Sequence, residues 1–281
     1  MNPADAQAIK SWVGRQTASH DELRPFPSQA LAAALERGVV PDAGDLLPPA
    51  WQWFYFLDTP SASGTGADGH PRSTQLLPPP PLPRRMWAAG KMHIDRPLRL
   101  GLAAQRRTTI KSIEARSGKS GALVFLNLEH EFIQNGAVCI REEQNLVYRE
   151  MPSAPGVEIA GEPAPPPGEW THEIAPDPVL LFRYSALTYN SHRIHYDRPY
   201  AIGHEFYDDL VVQGPLLATL LLEFIQAQLP YAVIKTFQFR AVRPTYASKT
   251  FTLNAALSGE ALTLWSIQQG RLCMSASATL S

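Results

Sequence analysis

The chain has 281 residues, 44% of them hydrophobic and 18% charged, with a formal net charge of −1. This is a globular composition, and the length allows one large domain or two modest ones. The near-neutral balance excludes an electrostatic footprint for nucleic acid or for an anionic membrane surface. The two cysteines, Cys139 and Cys273, sit in apolar runs without forming a spaced pair, and read as buried free thiols in a reducing compartment.

At the amino terminus, "DAQAIKSWVGRQ" (5–16) places Ala6, Ile9, Trp12 and Val13 at helical spacing, and it lacks the long apolar core of a signal peptide. A second helix is predicted in "PSQALAAALERG" (27–38), with Ser28 as cap and Gly38 as stop. Residues 59–83, "TPSASGTGADGHPRSTQLLPPPPLP", cannot hold a regular ladder, because proline lacks the donor and glycine costs backbone entropy. The stretch reads as a mobile excursion, either a plain connector or the margin of a ligand entrance. From Arg84 the pattern turns to strands: "RRMWAAGKMHI", "RTTIKSIEARSG", "ALVFLNLEHEFIQNG" and "AVCIREEQNLVYRE". The last two alternate apolar and polar residues across an Asn-Gly hairpin signal. Residues 1–150 thus read as helices followed by an antiparallel sheet.

A linker at 151–170 contains the proline-rich "GEPAPPPGEW". Beyond it, in "VVQGPLLATLLLEFIQAQL", Leu216, Leu217, Leu220, Leu221, Phe224 and Ile225 form the stripe of a buried helix that opens at Gly214 and Pro215. The greasy run is interrupted by Glu223 and is shorter than the roughly 20 residues that span a bilayer. A membrane partner is therefore not expected, and a cytoplasmic location is. Four strand-like segments follow, "VIKTFQFRAVRPTY", "KTFTLNAALSG", "ALTLWSIQQG" and "RLCMSASATL". Residues 171–281 repeat the element order of the first half, so two similar units, each a sheet wrapped round one helix, is the economical reading.

Chemistry-bearing residues concentrate in "SALTYNSHRIHYDRPYA" (185–201). An imidazole titrates near neutrality, so a histidine here can take a proton from water and return it. His192, His195 and Asp197 also outline a metal cluster, but they lack an obvious fourth ligand; no metal and no other cofactor is expected.

This segment resembles the hydratase motif of the MaoC-like enoyl-thioester hydratases, whose common form is D-x-N-P-x-H. Aligned on the final histidine, Asn190 stands at the usual aspartate, His192 at the asparagine, Arg193 at the proline and His195 at the catalytic histidine. "RRMWAAG", "TTIKSIEARSGKSGALVFLNLEHE", "REEQNLVYRE" and "FRAVRPTY" resemble the branch that contains hydroxyacyl-thioester dehydratase type 2 and the mesaconyl-C4-CoA and itaconyl-CoA hydratases, so the similarity covers nearly the whole chain. It implies an α+β double hotdog, two antiparallel sheets each wrapped round a central helix. It also implies a hydro-lyase acting on an acyl-CoA, with itaconyl-CoA or mesaconyl-C4-CoA hydrated to citramalyl-CoA as the specific expectation. The alternatives are a 3-hydroxyacyl-thioester dehydratase of fatty acid synthesis, a non-catalytic acyl-CoA-binding protein and a thioesterase. Proteins of this kind often pair their sheets in a homodimer, although a fused double unit can meet that need internally.

The resemblance makes His195 the general base and the Gly214 N–H the donor to the developing enolate oxygen, since Pro215 has none. Asn190 can orient a water but cannot accept a proton at neutral pH. His192, Tyr189 and Asp197 are the candidate partners of His195. Arg84, Arg85, Arg183 and Arg193 are the candidates for an acyl carboxylate, and Arg240 and Arg243 for the CoA phosphates.

Overall fold

The computed structural model describes residues 8–118, 121–151 and 162–281. The first half contains β1 (Gln16–Asp21), α1 (Pro25–Ala34), β2 (Arg84–Ile94), β3 (Ala104–Gly118), β4 (Gly121–Gln134) and β5 (Ala137–Arg149). The second contains β6 (Trp170–Ile174), α2 (Pro178–Leu187), α3 (Arg198–Gly203), α4 (Gly214–Gln228), β7 (Ile234–Ala241), β8 (Phe251–Ser258), β9 (Ala261–Gln268) and β10 (Arg271–Leu280). All pair antiparallel in one ten-stranded sheet of order β1-β3-β4-β5-β2-β7-β10-β9-β8-β6. The two halves therefore have the same internal strand order, and they meet where β2 pairs with β7 between Ala89↔Arg240 and His93↔Thr236.

The local causes are plain in the sequence. Along β4 every second side chain from Val124 to Gln134 is buried, the period of a half-buried strand. Asn135 and Gly136 both take positive φ, 52° and 74°, which closes the β4–β5 hairpin without splaying it. Helix α4 is buried on nearly every side from Leu216 to Ile225, and it lies against β8, β9 and β2. Its single carboxylate, Glu223, accepts from Trp51 Nε1 at 2.9 Å and pairs with Arg37 at 3.2 Å, which explains a charge inside an apolar run. Helix α1 has its main contacts with α2 and with the 3₁₀ turn Trp51–Phe54. Among the described residues, no helix is long and apolar enough to cross a membrane.

The fold is the expected double hotdog, its two sheets joined through β2 and β7 into one, with local corrections. Near the amino terminus the described helix is only residues 8–10; Ala6 lies outside the described residues, and Gln16 already begins β1. Helix α1 starts at Pro25, so Ser28 is not its cap but a buried interior residue whose hydroxyl meets the Tyr55 hydroxyl at 2.7 Å. It ends at Ala34, and Glu36 turns to positive φ, so Gly38 is not the stop. Residues 152–161 of the expected linker lie outside the described residues, and its last residue, Trp170, opens β6. Strands β1 and β6 are the sheet's two edges, and "QTASHD" and "WTHEI" carry no apolar alternation that would announce them.

Candidate active site

A cavity of about 1310 Å³ opens between the two halves. The segment before α4 folds into its wall. Asp177 caps α2 by accepting from the Leu180 N–H at 2.7 Å, and Asp197 caps α3 by accepting from Tyr200 N–H at 3.1 Å. The turn Arg193–His195 lies between the end of α2 and the start of α3.

His195 is buried, and its Nδ1 lies 2.7 Å from the Val211 carbonyl oxygen. A carbonyl only accepts, so Nδ1 carries the proton and Nε2 keeps the free lone pair. Burial, reinforced by the neighbouring His192, pushes its pKa down to about 3, which keeps the ring neutral at physiological pH. His192 stands edge-on to it at 5.5 Å between ring centres, and its Nε2–H donates to Glu205 Oε1 at 2.9 Å. Glu205 Oε2 in turn lies 2.9 Å from Arg84 Nε, off the N–H direction, so that contact is ionic rather than a directed hydrogen bond. The Arg84 guanidinium also covers the Tyr207 ring at 4.4 Å.

A second carboxylate–imidazole pair at the site comes from the other half. His70 Nδ1 lies 2.8 Å from Asp68 Oδ2, and the His70 ring packs against His192, tilted by 38°, at 4.1 Å between centres. Burial, together with the nearby Arg85, lowers His70 to about 4. Burial by itself would raise Asp68, but the hydrogen bonds and charge from His70 outweigh it and hold the carboxyl at about 2. Loop 59–83 is thus no slack connector. Asp68 O accepts from Arg193 N–H at 2.9 Å, Gly69 O accepts from the Ser191 hydroxyl at 2.5 Å, and Ala67 O accepts from Arg193 Nη1 at 3.0 Å. Gly69 adopts φ +93°, and a Cβ there would overlap the Ser191 carbonyl.

His195, His192, Asn190, Tyr189 and Gly214 all line this cavity, as do Arg84, Arg85 and Arg243. Asn190 Oδ1 accepts from the His192 backbone N–H at 3.1 Å, which fixes the turn and leaves its NH2 as the free polar group. Gly214 is the first residue of α4, where the N–H has no intrahelical partner, and a side chain there would meet only the Trp87 carbonyl at 3.8 Å. Tyr189 is exposed at the margin with φ 50°.

Other candidates fall elsewhere. Asp197 and Arg193 pair with each other at 2.7 Å, and Arg193 stacks over Tyr200 at 4.1 Å; neither residue lines the cavity. Arg183 is exposed on α2 outside it. Arg240 is exposed on β7 and faces Glu162 at 3.7 Å. Asp68, His70 and Glu205 escape a reading of the sequence, because two lie in a Gly-rich loop and the third lies ten residues past the motif. Asp68, His70 and His192 are also the one group among the described residues whose ligand atoms approach within 4.8 Å as a metal set would. In each of the two imidazoles one nitrogen already serves a hydrogen bond, His70 Nδ1 to Asp68 and His192 Nε2 to Glu205.

Comparison with known proteins agrees with this architecture. The chain is 42% identical to the mesaconyl-C4-CoA hydratase of Chloroflexus aurantiacus, over 94% of this chain and 93% of that protein. It is 28% identical to the mitochondrial hydroxyacyl-thioester dehydratase type 2 of Schizosaccharomyces pombe, covering 78% of this chain and 80% of the relative. A solved MaoC-like dehydratase superposes with a TM-score of 0.69 at 13% identity, over 98% of this chain and 99% of that one, which speaks for the fold. Residues 50–247 match the model of one family, a span that runs from the start of the Trp51–Phe54 turn through the whole histidine cluster, and by that match the chain belongs to the hydroxyacyl-thioester dehydratase type 2 family.

Proposed function

We propose that this protein is a hydratase that adds water reversibly to an α,β-unsaturated acyl-CoA, with a C5 dicarboxylyl ester, mesaconyl-C4-CoA or itaconyl-CoA, converted to citramalyl-CoA. The observation that carries the reading is a neutral His195 with Nε2 unoccupied, on the same cavity as the Gly214 N–H at the start of α4. His195 Nε2 takes a proton from water as the oxygen bonds to the β-carbon. The negative charge passes to the thioester oxygen, where the Gly214 N–H and the helix dipole stabilise it. The imidazolium then returns the proton to the α-carbon, closing the balance of one water added to mesaconyl-C4-CoA. Itaconyl-CoA, whose double bond lies β,γ to the thioester, first loses a proton from the α-carbon and gains one at the γ-carbon, which shifts the double bond into the α,β position. Asn190 offers its NH2 to the attacking water, and the Asp68–His70 pair supplies the carboxylate that position 190 lacks. In this scheme residues 171–281 form the unit that carries the motif, and residues 1–150 the unit that receives the acyl group.

The test is formation of the hydroxyacyl-CoA product, followed by chromatography, with crotonyl-, mesaconyl-C4- and itaconyl-CoA side by side. A preference for the two branched acids supports the reading, and a strong preference for crotonyl-CoA removes the dicarboxylyl assignment. One observation favours a second reading, the 3-hydroxyacyl-thioester dehydratase with longer chains: Leu76, Leu77, Met86, Leu128 and Leu146 form an apolar stretch of the same cavity wall. Rising kcat/KM with chain length would select it.

A further inference from the structure

The inward face of the N-terminal half of the sheet is not uniformly apolar. Strand register sets Thr108, His130, Glu142 and Met92 in one row across β3, β4, β5 and β2. Arg106 lies in the next row, paired to Phe132, and Gln144 lies on the other side, paired to Leu128. This polar band divides the apolar interior in two: Phe132, Ile140 and Met92 belong to the large cluster, and Ile110, Leu126, Leu128 and Leu146 to a separate small one. A face built only for packing would gain by continuing the apolar pattern, since buried polar groups cost free energy unless paired.

Most of the band is paired internally. His130 is held by Thr108 Oγ1 at 2.8 Å and by Gln144 Oε1 at 3.2 Å. Both Glu142 oxygens are engaged, one by Gln52 Nε2 and one by Trp53 Nε1, each at 2.9 Å. Two donors are left over. Arg106 Nε is buried without a hydrogen-bond partner, and its Nη2 reaches the exposed Asp58 only at 3.9 Å. Ser19 Oγ is also buried without a partner, and Ser19 stands directly opposite Arg106 in the β1–β3 register. Both residues line the cavity that holds His195 and Gly214.

We propose that Arg106 and Ser19 form a carboxylate-binding subsite that receives the free acid at the far end of a short acyl group. The assignment rests on the hydratase reading above for the position of the thioester. The ligand class follows from the donors: a guanidinium and a hydroxyl side by side, in a mostly desolvated wall, match a carboxylate's two oxygens, and a hydrocarbon tail leaves both unsatisfied. Thr108 and His130 border the subsite and keep it polar; Glu142, whose charge also acts on Arg106, has both oxygens held by Gln52 and Trp53.

Two saturated esters of equal chain length, succinyl-CoA and butyryl-CoA, differ by this carboxylate and do not react. Calorimetric titration of the wild-type protein should show succinyl-CoA bound at least about tenfold more tightly. Arg106→Leu should abolish that preference, and Arg106→Lys should keep part of it. In turnover, the ratio of kcat/KM for mesaconyl-C4-CoA over crotonyl-CoA should fall by at least about tenfold in Arg106→Leu. Equal binding of the two esters by the wild-type protein, or an unchanged ratio in the variant, overturns the subsite. If no enoyl ester is hydrated but succinyl-CoA is still preferred through Arg106, the hydratase reading fails while the subsite stands.

Discussion

The imidazole of His195 is set by one carbonyl. With Nδ1 committed to Val211 at 2.7 Å, only Nε2 can exchange protons with a substrate. His195→Ala should lower kcat by about 10²–10⁴-fold, the usual range for a positioned acid–base group. It should also cost about 1–3 kcal/mol of stability, because the Val211 oxygen loses its donor inside the protein. Stopped-flow turnover with a denaturant melt measures both, and near-normal kcat excludes His195 as the base. The acid limb of the pH profile follows from the same burial. The active form is the neutral ring, and its pKa lies at about 3 for His195 and about 4 for His70, so kcat/KM should persist well below pH 6.5 and fall only as those values are approached. A limb centred near 6.5 would show an exposed imidazole instead. Asp68→Asn removes the charge behind His70 and should lower kcat at least about tenfold. Combined with His195→Ala it should add little, since groups acting as a unit are not additive. Full additivity in that pair would separate the two.

The element that most changes the reading is loop 59–83. Its composition announces disorder, yet the carbonyls of Ala67, Asp68 and Gly69 accept hydrogen bonds from Ser191 and Arg193 that fasten it to the histidine segment. Gly69 is the position where the two backbones touch, and its positive φ excludes ordinary side chains. Gly69→Ala should therefore displace Asp68 and His70 together and remove most activity. The sheet should stay intact, which near-unchanged far-ultraviolet circular dichroism would show; a fully active variant would mean the latch is dispensable. Helix α4 was legible by contrast, because its stripe from Leu216 to Ile225 needs only 3.6-residue periodicity to be seen.

Across the whole molecule, buried titrating groups give stability a defined pH dependence. His70, His130 and His195 stay unprotonated in the fold down to about 4, 3 and 3, each pushed down first by burial. Unfolded, they bind protons near 6.5, so their contribution is complete above that pH and is lost as pH falls. Glu142 acts oppositely: burial raises it to about 7, so its contribution is complete below about 4.5 and is lost as pH rises through 7. Between about 4.5 and 6.5 three histidines outweigh one glutamate, and unfolding takes up protons. Stability should rise with pH across that window, by about 1.4 kcal/mol per pH unit for each net proton as an upper bound. Thermal melts at half-unit steps test the sign, and a decline over that range contradicts it.

The sequence alone determined the eight inner strands, the buried helix and the histidine motif, since each is written in a short repeat: alternation along β4, the leucine stripe of α4, and the spacing of Asn190, His192 and His195. The tertiary structure decided the partners. Asp68 and His70 meet His192 across more than a hundred residues, and Ser19 meets Arg106 across β1 and β3. Periodicity records which face a residue takes within its own element; it carries no signal for which distant element closes over that face, because that depends on the free energy of the assembled sheet and loop together.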